Sequence, residues 1–225
     1  MEIQLKETDG LRKNLEAALA GSAKSTNAEG WYTRLDAFLT EVQAAIPSKL
    51  KDRAFLARLW DSNPVAAIGN GTVKIGPALE SDEFVEWFAQ QAALDMPVDA
   101  IEAESKLTAL YDELNSRLGA LCGRTPRLKL NRVLCAIFPD YFTTIADVGA
   151  LRYLHREMGG LQNDHPVQAH ISIRRRVDEV LGPVPASDQM EKVRRMCLPW
   201  MLYERLTSDK PSETSIPDDI KQSQL

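Results

Sequence analysis

The residues whose types and spacing suggest chemistry in this sequence are basic, and they form three clusters in its second half. The nine side chains concerned are Arg124, Arg127, Lys129, Arg132, Arg152, Arg156, Arg174, Arg175 and Arg176. Guanidinium and ammonium groups at exposed positions contact phosphate oxygens, and a guanidinium can also read base edges in a DNA groove. These nine residues are therefore candidates for contacts with nucleic acid. The alternative is that they belong to solvated faces balanced by acids such as Glu157, Asp178 and Glu179.

The first two clusters occupy positions that suit different contacts. The first, from Arg124 to Arg132, falls in the loop and first helical turn after Gly123, which predicts an exposed position beside phosphates. In the second, Arg152, His155 and Arg156 share one face of a predicted helix, opposite its apolar face, as a helix that reads a groove requires. A helix-turn-helix is disfavoured, because about eight residues separate the predicted helices where three or four are expected.

Complete catalytic or nucleotide-binding motifs are absent from the sequence. The string GNGTVKIG contains spaced glycines, but a phosphate-binding loop needs Lys-Ser or Lys-Thr after its last glycine, and neither follows Gly76. No G-x-S-x-G nucleophile motif occurs. The combination of Asp140 with Asp219-Ile220-Lys221 matches a nuclease pattern formally, but its second half lies in a predicted linker, where carboxylates are not held rigidly. We therefore predict a chain that is not an enzyme, has no catalytic residues and needs no cofactor.

Metal sites and disulfides are also not predicted. His155, His165 and His170 form no H-E-x-x-H motif, and a spacing of five places the last two on different helix faces, so surface or capping roles are expected. The three cysteines form no C-x-x-C pair and lie among apolar residues. An odd number of separated cysteines in such surroundings is typical of reduced thiols in a core.

Charge divides the chain into two halves. Residues 1–122 hold 12 Lys+Arg and 19 Asp+Glu, whereas residues 123–206 hold 13 and 9, within a net charge of −5. A polyanion would therefore meet the second half. The N-terminus has no apolar run of a secretory signal, and no stretch is long and apolar enough to cross a bilayer. These features predict a cytoplasmic protein without a membrane partner.

Apolar spacing predicts a mainly α fold, with residues 1–206 in a single compact multi-helix domain. Predicted helix ends include Ser81 and Asp147 as N-caps and Gly123 as a left-handed C-cap of the longest helix. The predicted core includes Leu39, Trp60, Phe88, Leu114, Leu134, Leu154 and Trp200.

Two segments depart from the helical pattern. Residues 65–68 and 72–75 flank Gly69-Asn70-Gly71, which indicates either one short β-hairpin or an ordered loop. Residues 207–225 are rich in Ser, Thr, Pro and acids without an apolar stripe, which predicts a disordered, flexible C-terminal linker.

Two strings within residues 55–160 resemble a region that precedes the motor module in McrB-type proteins. The strings are LWDSNPVAAIGNGTVKIGPALESDEFVEWFA and LCGRTPRLKLNRVLCAIFPDYFTTIADVGALRYLH. McrB-type proteins are the GTP-hydrolysing AAA+ subunits of modification-dependent restriction systems, in which the N-terminal region commonly recognises the DNA target and a partner subunit cleaves. The resemblance implies DNA, possibly modified, as a partner, together with a downstream AAA+ module and a nuclease subunit. This chain departs from the family pattern by lacking every GTPase motif.

Two functions from different classes remain open at this stage. One is a DNA-recognition module of an antiviral restriction system that uses the basic second half and has no catalytic activity of its own. The other is a protein-interaction or assembly module of such a system, without DNA contact. Salt-dependent DNA binding distinguishes them, because counterion release makes affinity for DNA fall steeply with salt.

Overall fold

The described part of the chain consists of helices joined by loops. The computed structural model describes residues 5–22, 26–46, 49–66, 71–185 and 187–208. The helices in these ranges are α1 (Thr8–Ser22), α2 (Thr26–Ala45), α3 (Arg53–Asp61), α4 (Gly76–Glu80), α5 (Asp82–Ala92), α6 (Ala100–Cys122), α7 (Arg127–Ile137), α8 (Val148–Glu157), α9 (Pro166–Leu181) and α10 (Gln189–Ser208). No strand occurs within these ranges, which confirms the mainly α fold class.

Side-chain caps determine several helix ends, as the sequence predicted. The Ser81 hydroxyl accepts a hydrogen bond from the backbone N–H of Phe84 at 3.2 Å, and Asp147 accepts one from Ala150 at 2.8 Å. Each bond satisfies an N–H group that the first helical turn leaves without a partner. At the other end of α6, Gly123 has φ of 70°, a left-handed conformation that favours glycine.

Two clusters of buried apolar side chains form the core. Most side chains of the larger cluster come from the six helices α2 to α7. The cluster includes Trp60, whose ring centroid lies 5.5 Å from that of Phe88. The smaller cluster joins α1 to α8, α9 and α10. Because α9 and α10 contribute side chains to both clusters, they connect the two parts of the core. Every predicted core residue is buried except Trp200, which is half-buried.

The predicted hairpin is not formed by its described flanks. Residues 65–66 and 71–75 form no strand, and α4 begins at Gly76, while residues 67–70 lie outside the described ranges. Val65 and Ile75 are each 1% exposed and pack into the larger cluster. Val65 and Ile75, on either side of residues 67–70, therefore pack in the core without forming strands.

The C-terminal helix extends beyond the predicted domain boundary. Leu206 is buried in the smaller cluster, and α10 continues to Ser208, so the first two residues of the predicted linker are helical. The rest of that linker, residues 209–225, lies outside the described residues. Among the helices that the structure describes, none combines the length and apolarity required to cross a membrane.

Candidate nucleic-acid interface

The start of α7 carries positively charged side chains at the end of the helix where the helix dipole is already positive. Its N-cap, Pro126, offers no side-chain hydrogen bond, the first turn contains no acid, and Arg127 occupies the first helical position. The backbone N–H groups of Leu128 and Lys129 have no hydrogen-bond partner among the described residues. A helix N-terminus attracts anions through its dipole and its free N–H groups, whereas cations there are unfavourable. This helix start is therefore arranged to receive an anion.

A cavity of about 570 Å³ opens beside this helix start. It is lined by residues 71–73 on one side and by residues 124–129 on the other. Arg124 and Arg127 are exposed, and neither forms an ion pair within the described ranges. Their guanidinium groups are thus free to contact phosphate oxygens at the mouth of the cavity.

The other two members of the first cluster are not exposed, which corrects the sequence prediction. Lys129 is 6% exposed and forms an ion pair with Asp61 of α3. Arg132 is 2% exposed, its Nε donates to Oδ1 of Asn63 at 2.9 Å, and its Nη2 donates to the backbone carbonyl of Asn63. Both side chains point towards α3 because α7 packs against that helix. Burial lowers the pKa of the Arg132 guanidinium. Lys129 and Arg132 are therefore structural, and Arg124 and Arg127 are the exposed members of the first cluster.

Arg127 of α7 and Arg152 of α8 both act electrostatically on Tyr111 of α6. Burial raises the pKa of Tyr111 to about 12, and the positive charges of Arg127 and Arg152 both oppose this shift. Two arginines from different predicted clusters thus affect the same hydroxyl group. Arg152 is exposed, as expected for a residue that contacts DNA.

Arg156 is also exposed, but its charge is partly engaged. Its Nη2 lies 3.1 Å from a carboxylate oxygen of Glu157, and its guanidinium carbon lies 5.6 Å from the ring centroid of Tyr153. The balancing role considered for Glu157 is thus observed at this position. An exposed ion pair contributes little energy, so the arginine remains available to a stronger anion.

His155 does not share the exposed face of α8, contrary to the sequence prediction. It is 3% exposed, and its Nε2 lies 2.7 Å from Oδ2 of Asp164. The hydrogen bond to His155 lowers the pKa of the Asp164 carboxyl. His155 therefore joins α8 to the loop that precedes α9 and takes no part in a surface for nucleic acid.

The third cluster does not form a common surface. Arg175 is exposed, with its Nε 3.9 Å from Glu179, whereas Nη2 of Arg176 donates to the backbone carbonyl of Lys6 at 2.8 Å. Arg174 instead lines a crevice beside α10. Successive residues of a helix diverge by about 100°, so three consecutive arginines face three directions.

The remaining histidines and the cysteines have structural surroundings. His165 caps α9, with its Nδ1 accepting from the backbone N–H of Val167 at 3.2 Å, as predicted. His170 is fully buried, which corrects its predicted surface position. The cysteines are free, and burial raises the pKa of the Cys135 thiol to about 12. Within the described ranges, no group of three or more His, Cys, Asp or Glu side chains is placed to hold a metal ion.

One part of the interface was missed from the sequence, namely the free N–H groups at the start of α7. A signal for them exists, because Pro126 precedes a helix that lacks both a Ser, Thr, Asp or Asn cap and an acid in its first turn. No protein-family model, curated protein or solved structure matches the chain. The resemblance to McrB-type proteins therefore stays a prediction.

Proposed function

We propose that this chain is a non-catalytic DNA-recognition module whose phosphate-binding surface comprises Arg124, Arg127 and the start of α7. One observation carries the proposal. The first turn of α7 has no cap and no acid, and it is flanked by two exposed arginines without ion pairs in the described ranges. Such an arrangement is stabilised by a bound polyanion, since both the helix dipole and the side chains favour negative charge.

The position of α8 supports a second role within the same module. Arg152 and Arg156 are exposed and one helical turn apart on a helix of 10 residues. A rigid helix suits contacts to base edges, while the α7 start suits contacts to the backbone. In this proposal α7 contributes most of the affinity and α8 contributes discrimination between targets.

The resemblance to McrB-type proteins implies the other proteins with which this module would act. In that setting the module would locate DNA, possibly modified, in the cytoplasm for a downstream AAA+ module that hydrolyses GTP and for a nuclease subunit that cleaves. In that family the N-terminal region commonly recognises the DNA target, which is the role proposed for this chain. The full reading frame tests it directly, because a phosphate-binding loop G-x-x-x-x-G-K-[ST] after residue 225 is required.

DNA binding itself is tested by measuring affinity for a duplex at several salt concentrations. Replacing Arg124 and Arg127 with Ala should weaken binding and flatten the dependence of log K on log salt by about 1.8 units, since each lost phosphate contact removes about 0.9. A matched control is the pair Arg12→Ala and Lys13→Ala on α1, which removes the same charge from exposed positions. The control should retain the salt dependence of the unaltered chain.

The role assigned to α8 needs a separate variant. Replacing Arg152 and Arg156 with Ala should reduce discrimination between targets more than overall affinity, because base contacts carry the sequence information. Unchanged binding in both pairs of variants, or no binding to DNA at low salt, would contradict the proposal.

An assembly module is the second candidate, and one surface favours it. Val98 is fully exposed, Ile101 is 80% exposed and Leu94 is 43% exposed, all around the loop between α5 and α6. Exposed apolar side chains that lie close together are typical of protein-interaction sites. Light scattering during chromatography checks this alternative. Self-association that Val98→Ser and Ile101→Ser abolish, together with an absence of DNA binding, would favour it over DNA recognition.

A further inference from the structure

A crevice of about 290 Å³ lies between α2, α9, α10 and the turn that follows α7. Its walls combine apolar, polar and charged side chains. They are Leu39, Thr40, Gln43, Pro139, Asp140, Arg174, Gln189, Lys192, Val193 and Met196. None of these residues lines the cavity at the start of α7, so the crevice is a separate site.

Arg174 is the unusual residue of this crevice. Its Nε and Nη1 atoms are shielded from solvent and have no hydrogen-bond acceptor among the described residues. No carboxylate in the described ranges forms an ion pair with it. Burial raises the pKa of the Cys135 and Cys197 thiols, and the positive charge of Arg174 opposes this rise. Arg174 as a whole is half-buried, and Nη2 is not among its shielded atoms. Shielded N–H groups without acceptors are costly, and an anion that contacts the guanidinium offsets part of that cost.

The other charged groups make the crevice positive overall. Lys192 is half-buried and adds a second cation, whereas Asp140 is exposed and is the only acid among the described residues of the lining. Leu39, Val193 and Met196 are buried and supply an apolar wall. The crevice thus presents two cations next to an apolar surface, which is the combination that binds an organic anion.

We propose that this crevice binds a small organic anion, with its carboxylate or phosphate group on Arg174 and Lys192 and its apolar part against Val193 and Met196. A volume of about 290 Å³ admits a small molecule and excludes a DNA duplex. Arg174 therefore serves a ligand site instead of the nucleic-acid surface that its position in a basic run suggests.

The test uses the full 225-residue chain and three probes: inorganic phosphate, acetate and benzoate. Each is titrated against a sodium chloride control of equal ionic strength, and binding is measured by calorimetry and by the thermal unfolding midpoint. Binding of phosphate would show that the charged group of the ligand is a phosphate. Tighter binding of benzoate than of acetate would show that the charged group is a carboxylate attached to an apolar part. The Arg174→Gln variant should weaken the binding probe about tenfold or more, the factor expected for loss of one charge-assisted hydrogen bond.

Matched variants separate a ligand site from general electrostatics. Arg175→Gln removes the same charge from the neighbouring exposed position and should change affinity less than about twofold, a loss in keeping with screened surface charge. Lys192→Gln should weaken binding, and Asp140→Asn should strengthen it by removing a like charge from the rim. Failure of all three probes to bind, or equal losses for Arg174→Gln and Arg175→Gln, would overturn the proposal.

The unliganded protein and DNA provide two further readouts. If Arg174 were paired with Asp140 in solution, Arg174→Gln and Asp140→Asn would lower the unfolding midpoint by the same amount without any anion, which would also overturn the proposal. The affinity of Arg174→Gln for DNA should match that of the unaltered chain. The anion site and the DNA-binding proposal can therefore fail independently.

Discussion

A side chain at position 160 would collide with the ring of His155. A Cβ atom built on Gly160 lies 2.0 Å from Nε2 of His155, the nitrogen that bonds to Oδ2 of Asp164 at 2.7 Å. The same carboxylate oxygen accepts a hydrogen bond from the backbone N–H of Leu161 at 3.1 Å. The loop between α8 and α9 thus closes over a buried histidine, and only glycine leaves room for the ring where the backbone passes.

Gly160→Ala should lower the free energy of unfolding by about 2 kcal/mol or more, since the ring must leave its position and lose its bond to Asp164. Urea denaturation measures the change. Gly21→Ala on α1 is the control, because nothing lies within 4 Å of a Cβ there. Alanine at that helical position should be neutral or stabilising by up to about 1 kcal/mol. Equal effects of the two substitutions would show that the collision is relieved without cost.

His170 makes stability depend on pH. Burial lowers its pKa from 6.5 to about 3. Its Nδ1 accepts a hydrogen bond from the backbone N–H of Thr143 at 3.2 Å, so the folded protein holds the ring neutral. Between these two pKa values the unfolded chain binds a proton that the folded chain does not, and stability therefore falls as the pH falls below 6.5.

The variant His170→Gln removes the imidazole that binds this proton in the unfolded chain. From pH 7 to pH 5, the free energy of unfolding of the unaltered protein should fall by about 2 kcal/mol relative to that of the variant. Chemical denaturation at each pH measures both proteins, and other titrating groups cancel in the difference. A difference that stays constant across this range would show that His170 is protonated in the folded state.

Arg132 should be required for the stability of the fold and should make no direct contact with DNA. Arg132→Ala leaves the buried polar atoms of Asn63 without their guanidinium partner, and should lower the free energy of unfolding by about 3 kcal/mol or more. Arg124→Ala, at an exposed position of the same cluster, should change it by less than about 0.5 kcal/mol. Thermal or urea unfolding separates the two. Similar stability of both variants would show that Arg132 is not needed for folding and is available for contacts at the surface.

Local interactions explain why much of the fold was predictable. Ser81, Asp147 and Gly123 act within one or two turns of their own helices, so their roles follow from neighbouring residues. The helix α1 was nevertheless not assigned from the sequence, and α4 lies next to the loop for which a hairpin was considered. Within the first two clusters, Arg124, Arg127, Arg152 and Arg156 are exposed as predicted, whereas Lys129, Arg132 and His155 are buried.

The sequence predicted a helical turn soon after Gly123, in the region where α7 lies. Only the tertiary structure decided that Lys129, Asn131 and Arg132 are buried too, because α7 contacts α2, α3 and α6. The partners of Lys129 and Arg132 lie 68 and 69 residues away in the chain, a separation that no local pattern reveals. The same reason applies to Arg174, whose crevice is built from three helices and a turn that meet only after folding.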